Sequence, residues 1–199
     1  MNDTKESILL TALHLFTKNG FDAVSVSDIS DKLGMTKGAL YKHYKNKRDI
    51  FNSILSRMEQ ADAEHARQFD LPEGPFGEMK DAYRKATIKQ LKAFALAQFA
   101  YWTMEDFPSS FRRMLTLEQY RSAEMSALYQ QYLVSGPLGY VIDLFEAWGI
   151  KDGIIQANKF YAPMFLYYSI YDGAKDKEAA NLAIEKYIHL FFKEWKVTK

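Results

Sequence analysis

The chain has 199 residues, a formal net charge of +1 and no cysteine. It therefore has neither disulfide bonds nor thiolate metal sites, and its net charge alone favours no class of partner. Apolar residues make up 48% of the chain and charged residues 26%, which is ordinary for a globular protein. No apolar run reaches the roughly 18 residues of a membrane span, and the first residues are polar. We therefore expect a cytoplasmic protein that does not cross a membrane.

The positive charge is concentrated in one short segment. Residues 1–50 carry a net charge of +2, and the remainder carries −1. From Lys32 to Arg48 there are six Lys or Arg residues and no Asp or Glu. A solvated charged face usually mixes both signs, whereas a local basic cluster interspersed with aromatic and small polar residues is typical of a DNA-binding element.

Capping residues and glycines predict four helices in the first part of the chain. Ser25 is spaced to form a capping box with Asp28, and Thr36 is placed to cap the next helix. Gly20 and Gly34 follow the first two apolar stripes, where glycine commonly ends a helix. On this basis we expect helices over about 4–19, 25–33, 37–44 and 47–69, the second and third forming a helix-turn-helix.

The rest of the chain also has helical patterning, and no stretch is typical of a strand. Pro and Gly residues separate predicted helices over about 76–104, 109–134, 137–149, 153–172 and 176–196. The segment Phe94–Trp102 is apolar on every side, as expected for a helix inside a bundle. We therefore predict an all-α fold with a three-helix DNA-binding head, residues 1–48, and a helical bundle, residues 49–199.

The third predicted helix has the features of a helix that enters the DNA major groove. Its N-terminal residues reach base edges first, and small residues there allow close approach. Lys37 can donate to guanine and the Ala39 methyl can contact a thymine methyl. Tyr44 is interpreted as core, four residues after Leu40. The candidate DNA contacts are Ser27, Thr36, Lys37, Gly38, Ala39, Tyr41, Lys42, His43 and Lys47.

These residues resemble the DNA-binding head of the TetR family of bacterial transcriptional regulators. The resemblance rests on Ile8–Gly20, Phe21, Val26, Asp28-Ile29, Leu33-Gly34, Lys37–Tyr44, Asn46-Lys47 and Ile50-Phe51. It implies phosphate contacts by Thr36, Tyr41, His43 and Lys47, and base contacts by Lys37 and Ala39, with Lys42 as a further candidate. Ser27 departs from the pattern because many relatives carry a basic residue there, so the second helix is expected to add little specificity.

The resemblance also implies that the bundle binds an effector and forms a homodimer on a palindromic DNA operator. We expect a lipophilic or aromatic small molecule, because ligand pockets are mainly apolar with a few polar groups. The last two helices, with more apolar width than one inward stripe needs, are the dimer candidates. Each pocket candidate can instead be ordinary core. The candidates are Phe94, Gln98, Phe99, Trp102, Met114, Tyr120, Trp148, Met164 and Tyr168.

Two other readings remain open at this point. The same fold can be regulated by a protein partner or by no ligand. An all-α enzyme is the rival from another class, but none of the four histidines follows a Glu at the spacing of a Glu-x-x-His metal motif. Neither a glycine-rich phosphate loop nor a nucleophile elbow is present in the sequence. We therefore expect no catalytic residues, no metal and no cofactor.

Overall fold

The computed structural model describes residues 3–72 and 74–194, and in these ranges the regular structure is entirely helical. This confirms the predicted all-α fold. The helices of the described part are α1 Asp3–Asn19, α2 Val26–Lys32, α3 Lys37–Tyr41, α4 Lys47–Arg67, α5 Phe76–Lys85, α6 Ile88–Met104, α7 Asp106–Glu118, α8 Ala123–Leu133, α9 Ser135–Ala147, α10 Gly153–Gly173 and α11 Lys177–Glu194.

The chain forms two compact units. The first unit contains the residues up to Asp62 together with Asp106–Tyr129, and the second contains Ala63–Glu105 and the residues from Gln130 onward. This division differs from the single boundary expected after residue 48. Helix α7 and the first part of α8 belong with the head because α7 packs along α1.

The core of the first unit is built on α1. Its apolar stripe at helical spacing is fully buried, as are the facing residues of α2, α3 and α4. Helix α7 is held against α1 by two polar contacts: the Thr17 hydroxyl donates to the Ser110 carbonyl at 2.9 Å, and His14 Nε2 lies 2.9 Å from an Asp106 carboxylate oxygen. The buried apolar residues of α1 to α4 include Ile8, Ala12, Leu13, Phe16, Ile29, Leu40, Ile50, Phe51 and Ile54.

Tyr44 anchors the segment after α3 to α1. Its side chain is only 2% exposed, and its hydroxyl donates to the Lys5 carbonyl at 3.2 Å. Burial is the main reason that the pKa of this hydroxyl rises to about 12, with the negative charges of Glu6 and Asp49 contributing further. Tyr44 is therefore a core residue, as its spacing from Leu40 predicted.

Three predicted helix boundaries are wrong. The expected helix over 76–104 is two helices, because Thr87 and Gln90 form a capping box that begins α6. The expected helix over 109–134 is also two, α7 and α8, with Pro108 in the first turn of α7. Helix α3 ends at Tyr41 instead of Tyr44. Residues 195–196 of the predicted last helix lie outside the described residues.

In the second unit, α6 packs against α10 and α11, and α9 packs against α10 and α5. Phe99 and Trp102 of α6 are almost completely buried, which confirms that this apolar segment lies inside the bundle. The Trp148 indole N–H after α9 donates to the Tyr83 carbonyl of α5 at 3.2 Å. The junction between α8 and α9 is tight, because a Cβ at Gly136 would lie 2.0 Å from the Gln131 carbonyl oxygen.

We expect Gly136→Ala to lower the free energy of unfolding by about 2 kcal/mol or more, because backbone atoms must move to relieve the clash. Gly139→Ala is the matched control in the same helix, where a Cβ would meet nothing within 4 Å. That control should be neutral or stabilising by about 0.5–1 kcal/mol, since alanine favours helix. Urea denaturation of both variants checks this; equal stabilities would contradict the tight junction.

Because of Tyr44, the free energy of unfolding also depends on pH in the alkaline range. The pKa of its hydroxyl is raised from 10.0 to about 12 in the folded chain. Between these values the unfolded chain loses the proton while the folded chain keeps it, so the free energy of unfolding falls as pH rises, by up to about 3 kcal/mol. Denaturation from pH 9 to 12 should show a smaller fall in Tyr44→Phe than in the wild type. An identical fall would contradict this assignment.

Candidate nucleic-acid interface

The segment from Ser25 to Tyr41 folds as a helix-turn-helix because each helix is capped by its own sequence. The Ser25 hydroxyl accepts from the Asp28 N–H at 3.2 Å, and Asp28 accepts from the Ser25 N–H at 2.7 Å. The hydrogen bond from the Ser25 hydroxyl, followed by the one from its backbone N–H, lowers the pKa of the Asp28 carboxyl. Gly34 occupies the left-handed region, with φ +64°, and Thr36 then accepts from the Ala39 N–H at 3.2 Å. These contacts confirm both predicted caps.

Helix α3 has one buried side and one exposed side. Leu40 is completely buried, and α3 packs against α2, whose Ile29 is also completely buried. The exposed side carries Lys37 and Tyr41, and the Tyr41 side chain is 51% exposed. A recognition helix presents polar, exposed residues at its N-terminal end to the edges of the bases, and α3 has this arrangement.

The predicted DNA-contact residues lie in or next to this helix-turn-helix. Thr36, Lys37, Gly38, Tyr41 and Lys42 are exposed, while Ser27, Ala39, His43 and Lys47 are partly buried. Within the described ranges, the side chains of Lys42 and Lys45 make no ion pair. Their positive charge therefore remains available to an anionic partner such as a phosphate backbone.

Two of the basic residues are engaged inside the first unit. Lys47 Nζ donates to the Phe21 carbonyl at 2.6 Å and lies 4.3 Å from the centre of the Phe21 ring. Arg48 forms an ion pair with Glu124 of α8 at 2.9 Å. The sequence assigned Lys47 to a phosphate, and this role remains a prediction. In the structure most of its contacts are with the turn after α1.

One residue that contacts this turn could not be predicted from the sequence. Glu118, at the end of α7, is 2% exposed and accepts from the Phe21 N–H at 3.1 Å. The two residues are 97 positions apart, and a capping or periodicity pattern links only near neighbours in sequence. A buried carboxylate of this kind becomes visible only once the fold has placed α7 beside α1.

Most predicted ligand-pocket residues fall in the second unit, where several are packed as core. The Phe99 and Tyr168 rings stack with their centres 5.5 Å apart, and the centres of the Trp102 and Tyr132 rings are 6.4 Å apart. Phe99, Trp102, Met164 and Tyr168 are each at most 5% exposed. A ligand could reach these side chains only if the bundle moved, so their packing fits the core alternative at least as well as a pocket.

Phe94 and Gln98 have a different environment. Phe94 belongs to an aromatic cluster with His65, Phe69, Tyr101 and Tyr140, in which His65 stacks on Tyr101 at 4.3 Å. The side-chain oxygen of Gln98 is buried without a hydrogen-bond partner. A buried unpaired acceptor is unfavourable by about 1–3 kcal/mol and calls for an explanation, such as a ligand that donates to it.

Two of the predicted pocket residues belong to the first unit. Met114 is completely buried in α7, and Tyr120, in the turn that follows, is 90% exposed. A side chain this exposed does not line an enclosed pocket, so the assignment of Tyr120 is corrected. The cluster members His65, Phe69, Tyr101 and Tyr140 were missed, although the i, i+4 spacing of His65 and Phe69 was a readable signal.

Within the described ranges, no group of three or more His, Cys, Asp or Glu side chains is placed to hold a metal ion. No helix in those ranges is both long enough and apolar enough to cross a membrane.

Residues 8–54 match the family model for bacterial regulatory proteins of the tetR family. The HTH-type transcriptional regulator AcrR of Shigella flexneri is 33% identical over 81 residues, which are 40% of this chain and 38% of AcrR. The HTH-type transcriptional repressor BepR of Brucella suis is 37% identical over 73 residues, 35% of each chain. The chain thus spans little more than a third of the length of these relatives.

The likeness of fold extends over nearly the whole chain. The solved structure of the SmeT–triclosan complex has a TM-score of 0.62 and covers 94% of this chain and 90% of SmeT, at 15% identity. At this identity the likeness shows the fold alone. Together with the match of the head, it confirms the resemblance inferred from the sequence. The head of the chain, residues 8–54, therefore matches the DNA-binding segment of the TetR family of bacterial regulatory proteins, and the relatives that it matches are transcriptional regulators rather than enzymes.

Proposed function

We propose that the chain is a ligand-responsive transcriptional regulator that binds a palindromic operator as a homodimer in the cytoplasm and is released by a lipophilic or aromatic small molecule. The observation that carries the DNA-binding part is the capped helix-turn-helix, whose exposed face holds Lys37, Tyr41 and Lys42. Backbone phosphates supply most of the affinity of such a face, and base contacts supply its specificity.

Base contacts should be few. Lys37 and Ala39 lie in the first turn of α3, where Lys can donate to guanine and the Ala methyl can meet thymine. Ser27 of α2 is partly buried, which supports a small contribution of α2 to specificity. We therefore assign sequence readout chiefly to α3, and propose that Thr36, Tyr41, His43 and Lys47 contact phosphates and that Lys42 contacts a phosphate or a base.

An exposed apolar surface on α10 and α11 supports a homodimer. Leu166 and Ile170 of α10 are 57% and 41% exposed, and Leu182 and Leu190 of α11 are 57% and 45% exposed. The two helices pack against each other in the second unit, so exposed apolar side chains occur on two neighbouring helices. Exposed apolar faces of this kind mark interaction sites, and a two-fold dimer pairs identical faces.

The aromatic cluster around Phe94 supports an effector site in the second unit. Aromatic rings favour an apolar or aromatic body, and the unpaired Gln98 oxygen favours a ligand that also has a hydrogen-bond donor. The relatives AcrR and BepR are named as a transcriptional regulator and a transcriptional repressor, and SmeT, a protein of similar fold, has been solved as a complex with triclosan. We propose a lipophilic or aromatic effector for this chain.

The purified protein should select dyad-symmetric duplexes from a random DNA pool and bind them with two chains per duplex. Its affinity should fall steeply with salt, because each neutralised phosphate releases counterions. Lys42→Ala should weaken binding and reduce the salt slope by about 1 per chain. Titration by fluorescence anisotropy at several salt concentrations measures both.

Lys175→Ala is the control, since this exposed lysine lies in the second unit and should leave affinity and slope unchanged. Selection of no symmetric site, or binding that does not respond to salt, would exclude the DNA-binding proposal.

The effector proposal predicts a difference between two matched compounds, 4-phenylphenol and its methyl ether 4-methoxybiphenyl. The phenol can donate to Gln98 and should bind about fivefold more tightly, the value of one hydrogen bond of about 1 kcal/mol. At a free concentration of ten times its Kd, the phenol should raise the free energy of unfolding by about 1.4 kcal/mol and the Tm by roughly 3–6 °C. Gln98→Leu should abolish the difference between the two compounds.

Gln130→Leu is the matched control, because this glutamine of α8 is exposed and should preserve the difference. If neither compound shifts the Tm while operator binding is intact, regulation by a protein partner or by no ligand becomes the better proposal.

A further inference from the structure

The turn between α1 and α2 is unusually well fixed. Gly20 has φ +86° and donates its N–H to the Phe16 carbonyl at 2.9 Å. Phe21, which follows, is 8% exposed, and its ring makes edge contacts with Phe16 and Phe51, each at 5.1 Å. This turn sets the direction in which the chain leaves α1 and enters the helix-turn-helix.

Both backbone polar groups of Phe21 are held by charged side chains from other helices. Its carbonyl accepts from Lys47 of α4 at 2.6 Å, and its N–H donates to Glu118 of α7 at 3.1 Å. Helices α4 and α7 therefore hold the turn through opposite charges on the two sides of one residue. Hydrogen bonds to charged groups are worth about twice those between neutral groups.

Gly20 is required for this arrangement. A Cβ at position 20 would lie 2.7 Å from Glu118 Oε1, so only glycine lets the carboxylate come this close. The positive φ independently favours glycine. Glu118 is also 2% exposed, and burying a carboxylate is unfavourable by several kcal/mol unless strong hydrogen bonds compensate for the lost water.

We infer that Glu118 is a positioning residue for DNA binding: by holding the Phe21 N–H it fixes the turn between α1 and α2, and with it the placement of α2 and α3 on the DNA. An apolar residue of similar size would fill the same volume without the desolvation penalty, so packing alone does not explain a carboxylate here. The matched family segment ends at residue 54, so the match itself assigns no role to α7.

Two points of the chain connect the second unit to the helices that hold this turn. Helix α4 runs from the first unit into the second, and α7 begins directly after Glu105, which ends one of the two segments of the second unit. A displacement of α7 would move Glu118 and change its hydrogen bond to the turn, independently of α4. The inference rests on the proposed function, because the turn matters to the extent that α3 binds DNA.

Three variants test this role: Glu118→Leu, Glu118→Gln and, as control, Glu59→Leu, which removes an exposed carboxylate of α4 in the same unit. Operator affinity is measured well below the Tm of each variant and corrected for the active fraction. Glu118→Leu should bind the operator at least about tenfold more weakly. Glu118→Gln keeps a carbonyl acceptor and should stay within about threefold of the wild type, as should the control.

Hydrogen exchange at the Phe21 amide, measured without DNA, is the second readout. Exchange should be at least about tenfold faster in Glu118→Leu than in the wild type and Glu118→Gln. This readout separates the inference from the proposed function, because it decides whether Glu118 holds the turn even if the wild type binds no operator. In that case the proposed function fails and the role in DNA binding fails with it.

Unchanged operator affinity in folded Glu118→Leu overturns the inference, and so does a loss of Tm with no loss of affinity in the folded fraction. If Glu118→Leu does not fold, Glu118→Ala decides, because it removes the acceptor of the Phe21 N–H without adding an apolar side chain. Glu118→Ala should weaken operator binding and speed exchange of the Phe21 amide. Unchanged values of both overturn the inference.

Discussion

The burial of α1 against its neighbours is the interaction on which the DNA-binding head depends. Helix α3 has five residues and α2 has seven, lengths at which an isolated helix is not stable in water. Both exist because Ile29 and Leu40 are completely buried in a core built on α1 and because Tyr44 ties the end of the motif to Lys5. The position of the exposed face of α3 therefore depends on the position of α1.

Local signals were sufficient for the head because its folding rules act over short distances. The capping pairs Ser25–Asp28 and Thr36–Ala39 span three residues, and both could be recognised in the sequence. The same rule was overlooked at Thr87 and Gln90, where the all-round apolar pattern suggested one uninterrupted helix. Contacts between Phe21 and Glu118 or between Arg48 and Glu124 join residues far apart in sequence, and no short-range sequence pattern predicts them.

The bundle was less predictable because an aromatic residue has the same periodicity in a core and in a pocket. Phe99 and Tyr168 are buried and stacked on each other, whereas Phe94 lies in a cluster with Tyr101 and Tyr140. Gln98 was recognisable from the sequence for a physical reason: it is the lone polar residue in an apolar run, so its amide needs an explanation wherever the run is buried.

The basic segment has two functions that its composition alone does not separate. Lys47 and Arg48 lie at the start of α4, where Lys47 donates to the Phe21 carbonyl and Arg48 pairs with Glu124, so both stabilise the unit and the charge of Arg48 is compensated. Lys32, Lys37, Lys42 and Lys45 remain exposed and make no ion pair among the described residues. These four cations are useful to a DNA-binding face only where the fold places them. The turn after α1 sets the position of α2 and α3, which gives the contact between Glu118 and Phe21 its importance.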